Sequence, residues 1–150
     1  MRITLEEIKF EHSKIAAMIA AFEHQAETYL PEGVTLAKGE KYICSIIRPD
    51  GMITHTILLP GDSDGASWAD QMGWAKSIGG DLPDRVEQAL LYELMPEEFK
   101  ESAYWSNTQH SGDSGFSWYQ VFTSGYQYCL SKILKLRARA VRQIISNSVI

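Results

Sequence analysis

The stretch Trp74-Ala75-Lys76-Ser77-Ile78-Gly79-Gly80-Asp81-Leu82-Pro83-Asp84-Arg85 decides how the middle of the chain folds. It reads as the end of one helix, a glycine reversal and the start of another. Ser67 is a suitable cap for the first helix, whose apolar positions are Trp68, Met72, Ala75 and Ile78. Gly79-Gly80 can end it, because glycine reaches the left-handed backbone that closes a helix. Pro83 falls near the first turn of the second helix, with Val86, Leu90, Leu91 and Leu94 as its expected buried face and Pro96 as its stop.

Upstream, residues 42–47 and 52–59 are β-rich runs separated by Arg48-Pro49-Asp50-Gly51. Proline presets φ and glycine accepts a positive one, so a hairpin is expected. Residues 60–65 then form a polar turn. Asp62-Ser63-Asp64-Gly65 looks like the start of a calcium loop, but the fifth residue is Ala66 and the twelfth Gly73, which rules out an EF-hand. Earlier still, residues 4–29 read as one long helix. Thr4 and Glu7 form a capping-box pattern, and Leu5, Ile8, Ile15, Met18, Ile19, Phe22 and Ala26 form an apolar stripe. Such a stripe packs either on its own domain or on a partner, for instance as a homodimer. Pro31-Glu32-Gly33 ends it, giving a helical arm over 1–30 and a domain over 31–150.

Downstream of residue 103 the pattern changes to short strands: 104–106, 117–123, 126–130 and a last strand over 134–141. In the last, Leu134, Leu136, Ala138 and Ala140 alternate with Lys135, Arg137 and Arg139. With Lys132 and Arg142 these cations form either the solvated face of an edge strand or an anion-binding patch. The chain of 150 residues carries 19 acidic and 14 basic side chains, a net charge of −5 that disfavours a nucleic-acid partner. No apolar run approaches a membrane span, and Glu6, Glu7 and Glu11 stand where a signal peptide needs apolar residues. A cytoplasmic or virion location is expected. Cys44 and Cys129 are read as free thiols or one disulfide, and spacing does not decide between them.

Several of these segments occur in an order that resembles a known family. Trp74-Ala75 is followed by Gly79-Gly80-Asp81-Leu82-Pro83-Asp84-Arg85, Tyr104-Trp105-Ser106-Asn107-Thr108, Trp118-Tyr119-Gln120-Val121-Phe122, Gly125-Tyr126, and the closing Arg137-Ala138-Arg139-Ala140-Val141-Arg142. Together they resemble the C-type-lectin-like domain of bacterial collagen-like adhesins and of phage and prophage proteins. Asp81 and Asp84 stand where that family usually has Arg and Thr, and the first 30 residues lie outside its pattern. The resemblance implies an α+β fold in which two helices flank a compact antiparallel sheet, with ligand-binding loops at about 106–117 and 123–131. The Glu-Pro-Asn and Gln-Pro-Asp tripeptides of calcium-dependent sugar binding are missing.

No catalytic constellation stands out. His12, His24, His55 and His110 lack a second His or Cys at metal-ligand spacing, and no nucleophile elbow or phosphate loop is present. No enzyme and no cofactor are expected. Trp105 and Trp118 are expected in the core. Asn107, His110, Asp113, Tyr119, Tyr126 and Tyr128 mix amphipathic rings with small polar groups, a composition suited to recognition. The expected function is a phage-type protein-binding module acting through these loops or the N-terminal helix. The alternative is a receptor- or carbohydrate-binding module of a fibre or adhesin.

Overall fold

The structure is a computed structural model that describes the backbone of residues 2–27 and 30–147, with side chains at 2–22 and 30–147. The chain divides after Thr35 into two compact units. The first contains helix α1 (Leu5–Glu27). Its capping box is formed as read, with the Glu7 amide donating to Thr4 Oγ1 (3.2 Å) and the Thr4 amide to Glu7 Oε2 (2.7 Å). Leu5, Ile8, Ile15, Met18, Ile19 and Phe22 are all more than half exposed. The expected extension to residue 29, and the side chain of Ala26, lie outside the described residues.

The second unit is a mixed α+β fold of two sheets and two helices. In chain order it contains β1 (Lys41–Ile47), β2 (Ile53–Leu58), β3 (Ser63–Ala66), α2 (Trp68–Ser77), α3 (Arg85–Leu94), a 3-10 turn at Pro96–Glu98, β4 (Ala103–Gln109), β5 (Phe116–Val121), β6 (Gln127–Ser131), β7 (Leu136–Ala138) and β8 (Val141–Ser146). One sheet has the order β1-β2-β8 and the other β3-β7-β4-β5-β6. The β1–β2 hairpin turns as expected, with Gly51 at φ +85° and its amide donating to the Arg48 carbonyl.

Each helix seals one core. Leu91 of α3 packs with Ile43, Leu58, Tyr104, Phe122 and Val141, and Phe99 stacks on Phe122 at 3.8 Å. Ala75 of α2 packs with Leu59, Leu82, Trp105, Ala138 and Ala140. Ser67 caps α2 through the Asp70 amide, whereas α3 starts at Arg85, so Pro83 precedes the helix instead of lying in its first turn. Asp84 is its cap, in a complete capping box with Glu87.

Four expectations are corrected. The buried face of α3 is Glu87, Gln88 and Leu91, while Val86 and Leu94 are about half exposed. The Gln88 side chain is held inside by Nε2, which donates to the Tyr104 carbonyl, while its Oε1 has no hydrogen-bond partner; its backbone carbonyl accepts from Gln120 Nε2. The stretch after Pro60 is not only a turn, since residues 63–66 form β3 against β7. The last strand is two strands in different sheets, and Arg139 between them is buried rather than solvated, donating to the Leu59 and Glu98 carbonyls. Nor do the basic residues form an open patch. Arg137 pairs with Asp62 and Asp64, Arg139 with Glu98, and Arg142 with Glu40. The two aspartates of the supposed calcium loop are thus counter-ions for Arg137.

Candidate functional site

Strands β4 and β5 are joined by the loop 110–115, which folds on its own side chains. His110 Nδ1 accepts from the amides of Gly112 and Asp113, both at 3.0 Å, so a neutral ring keeps its proton on Nε2. Asp113 Oδ1 accepts from the Gly115 amide (2.8 Å), and the Gly115 carbonyl receives the Lys132 amide (2.9 Å). The β4–β5 ladder is interrupted between Trp105 and Gln109. Ser106 and Ser117 bridge the gap, their hydroxyls donating to the Trp118 and Thr108 carbonyls.

Pairing of β5 with β6 sets Trp118 opposite Cys129 and Tyr119 opposite Tyr128. Opposed residues share a face, so these pairs lie on opposite sides of the sheet. On the first side the Arg85 guanidinium of α3 lies 3.4 Å from the Trp118 ring, with its Nε donating to Gln127. His110 lies nearly parallel to Trp118, ring centroids 6.5 Å apart at 19°. These two rings, with Asp113, Phe116 and Cys129, and with Tyr128 contributed from the other face of the edge strand β6, line a cavity of about 300 Å³, at the small end of ligand-site sizes.

No protein-family model matches the sequence, and no curated protein does either.

The cavity gathers half of the residues singled out from the sequence: His110, Asp113 and Tyr128. Tyr126, which immediately precedes the edge strand β6, stands beside the cavity, stacked on Tyr128 at 6.0 Å, and both rings are more than half exposed. Tyr119 lies elsewhere, half-buried edge-on to Trp105 in the α2 core. Burial pushes its phenol pKa up, aided by the neighbouring Tyr126 and Tyr128. Asn107 does not line the cavity. Its amide nitrogen donates to Asp81 and its backbone to the Pro83 carbonyl, which ties β4 to the α2–α3 reversal.

Phe116, Trp118 and Cys129 were not among the expected site residues. Trp105 is fully buried as expected, but Trp118 is a half-buried wall of the cavity, because its strand pairs with the edge strand. Cys44 and Cys129 are free, one in each sheet. Burial raises the Cys129 pKa against the opposing pull of Arg85, which favours a thiol over a nucleophilic thiolate. Among the described residues no group of three or more His, Cys, Asp or Glu side chains is placed to hold a metal. No helix among them is long and apolar enough to cross a membrane. What the site offers is a small aromatic cavity with one carboxylate at its rim, set beside an exposed tyrosine pair.

Proposed function

We propose that the chain is a non-enzymatic, C-type-lectin-like binding module of the phage type, which grips a protein partner through the 110–116 loop and the β6 edge. The observation that carries this reading is the convergence of His110, Asp113, Trp118 and Tyr128 on one cavity. The loop is held in shape by its own hydrogen bonds, so little ordering cost is left for binding. Tyr126 and Tyr128 extend the surface with amphipathic area of the kind that anchors protein interfaces. The fold name rests on the ordered motifs of residues 74–142 and on the two helices that accompany them; in place of the single antiparallel sheet expected, the strands divide between two sheets and β4 runs parallel to β7.

The test is affinity purification of the tagged protein from its host cell, with reconstitution of whichever partner is recovered. One stoichiometric partner is expected, and Asp113→Ala or Tyr128→Ala is expected to release it. The reading fails if no partner is recovered, or if both variants retain it. A glycan array read with and without calcium is expected to stay blank; a specific, saturable sugar signal would move the assignment to carbohydrate binding.

A further inference from the structure

The chemistry of the cavity is narrower than its shape. Its rings are His110, Phe116, Trp118 and Tyr128, and its carboxylate is Asp113. Asp113 spends one oxygen on the Gly115 amide, and among the described residues no cation pairs with it. The two cations on adjoining elements are engaged elsewhere. Lys132 Nζ lies over Trp68 at 4.1 Å and donates to Gln109, while Arg85 is stacked on Trp118 and bound to Gln127. Aromatic faces around an unpaired carboxylate attract a weakly hydrated organic cation. An anion is opposed both by Asp113 and by the net charge of −5.

The orientation of the rings favours a flat cation. His110 and Trp118 lie 19° from parallel with centroids 6.5 Å apart, so the cavity is faced by two rings of near-common orientation. A guanidinium is planar, stacks on aromatic faces and donates in a fork to a carboxylate, whereas an ammonium is compact and strongly hydrated. Arg85 shows that Trp118 already serves as a stacking surface for this group. Its positive charge opposes a second cation nearby, and Asp113 offsets that repulsion.

We propose that this cavity is an arginine-recognition site, taking the guanidinium of a partner's arginine between Trp118 and His110 with Asp113 as its counter-ion. The proposal rests on the protein-binding reading above and names what that face selects.

The experiment is an NMR titration of the ¹⁵N-labelled full chain with N-acetyl-arginine amide, following the indole N–H of Trp118. A saturable shift is expected with a Kd on the order of 1–10 mM, appropriate to one side chain without its protein context. The citrulline analogue, equal in shape but uncharged, is expected to bind at least about tenfold more weakly, and the lysine analogue several-fold more weakly. Asp113→Asn keeps an acceptor for the Gly115 amide and is expected to weaken arginine about tenfold while resonances outside the loop stay in place. No saturable shift, equal binding of arginine and citrulline, or unchanged affinity in Asp113→Asn would each overturn the proposal. If arginine fails but Tyr128→Ala still releases the purified partner, the guanidinium inference is wrong and the binding face stands. If arginine binds as expected while the partner is retained by both variants, the pocket stands and the protein-binding reading falls.

Discussion

Replacing Gly80 by alanine should be far more damaging than replacing its neighbour Gly79, and the difference tests how the two cores are joined. Gly79 has φ +89° and open space around the position of a Cβ, so alanine there meets only left-handed backbone strain, about 1–2 kcal/mol. Gly80 needs no unusual φ, but a Cβ would lie 2.5 Å from the Val141 carbonyl oxygen and 2.6 Å from Leu59 Cδ1. The first of these is backbone and cannot swing aside. It accepts from the Asp81 amide at 2.8 Å, and the Val141 amide returns an equal bond to the Asp81 carbonyl. Moving that carbonyl by nearly 1 Å strains both bonds, at about 1 kcal/mol each, on top of an overpacking cost of about 1–3 kcal/mol. We expect Gly80→Ala to cost about 3–5 kcal/mol, a large part of the ~5–15 kcal/mol that stabilises a typical domain. At this chain length that lowers Tm by about 10 °C. Urea denaturation of both variants, at unchanged m-value, is the measurement. A Gly80→Ala protein within about 1 kcal/mol of wild type, or more stable than Gly79→Ala, would refute the close approach of the reversal to β8.

A buried carboxylate and a partly buried one should give opposite responses to pH. Burial pushes the Glu87 pKa above its ordinary value of 4.5, so the folded state holds that proton more tightly than the unfolded one. Stability then falls as pH rises from the ordinary carboxylate value through the raised one, and Glu87→Gln, which can still accept from the Asp84 amide, should flatten that slope in denaturation curves taken across mildly acidic pH. Glu40 is held below its ordinary value by its hydrogen bonds with Arg142, Nε–Oε1 2.9 Å and Nη2–Oε2 2.7 Å. Its contribution is present above the ordinary carboxylate value and lost as pH falls through the lowered one. Glu40→Gln should therefore cost about 2 kcal/mol at pH 7 and progressively less in acid, and an equal loss at low pH would count against the pairing. For α1, we expect sedimentation to give twice the mass of one chain and Ile15→Glu to halve it. A wild-type protein sedimenting as a single chain would exclude pairing through the helix.

Local structure was legible wherever a residue type acts on its own backbone. Thr4 with Glu7, Ser67, and Pro49-Asp50-Gly51 each declare a cap or a turn through bonds that span at most a few residues. Elements that depend on distant partners were not legible. The alternation from Leu134 runs unbroken to Ala140 and breaks only at Ala140-Val141, where β8 begins, so it hides the end of β7 at Ala138 and makes the buried Arg139 read as part of a solvated face. Strand β3 is rich in aspartate and glycine, poor strand formers, and exists because Arg137 reaches Asp62 and Asp64 from more than 70 positions away. Glu87 and Gln88 defeat an apolar-face reading of α3, because a polar side chain can be buried where a hydrophobic pattern expects leucine, Glu87 accepting from the Asp84 amide and Gln143 and Gln88 donating to the Tyr104 carbonyl. At the site, the composition of the 110–116 loop pointed to His110 and Asp113. The β5–β6 register that turns Trp118 and Cys129 into cavity walls is a tertiary fact.

The pairing of β2 with β8 also bears on the order of assembly. Six consecutive pairs, from Ile53–Ser146 to Leu58–Val141, link segments more than 80 residues apart. Ile57 and Leu58, both fully buried, therefore wait for a strand made long after their own hairpin can close. Long-range pairing of this kind slows folding, since the intervening loop must lose its entropy before the contacts form. During synthesis the β1–β2 hairpin spends that interval with one edge open, a stretch during which a chaperone, or a second nascent chain, can occupy the place of β8.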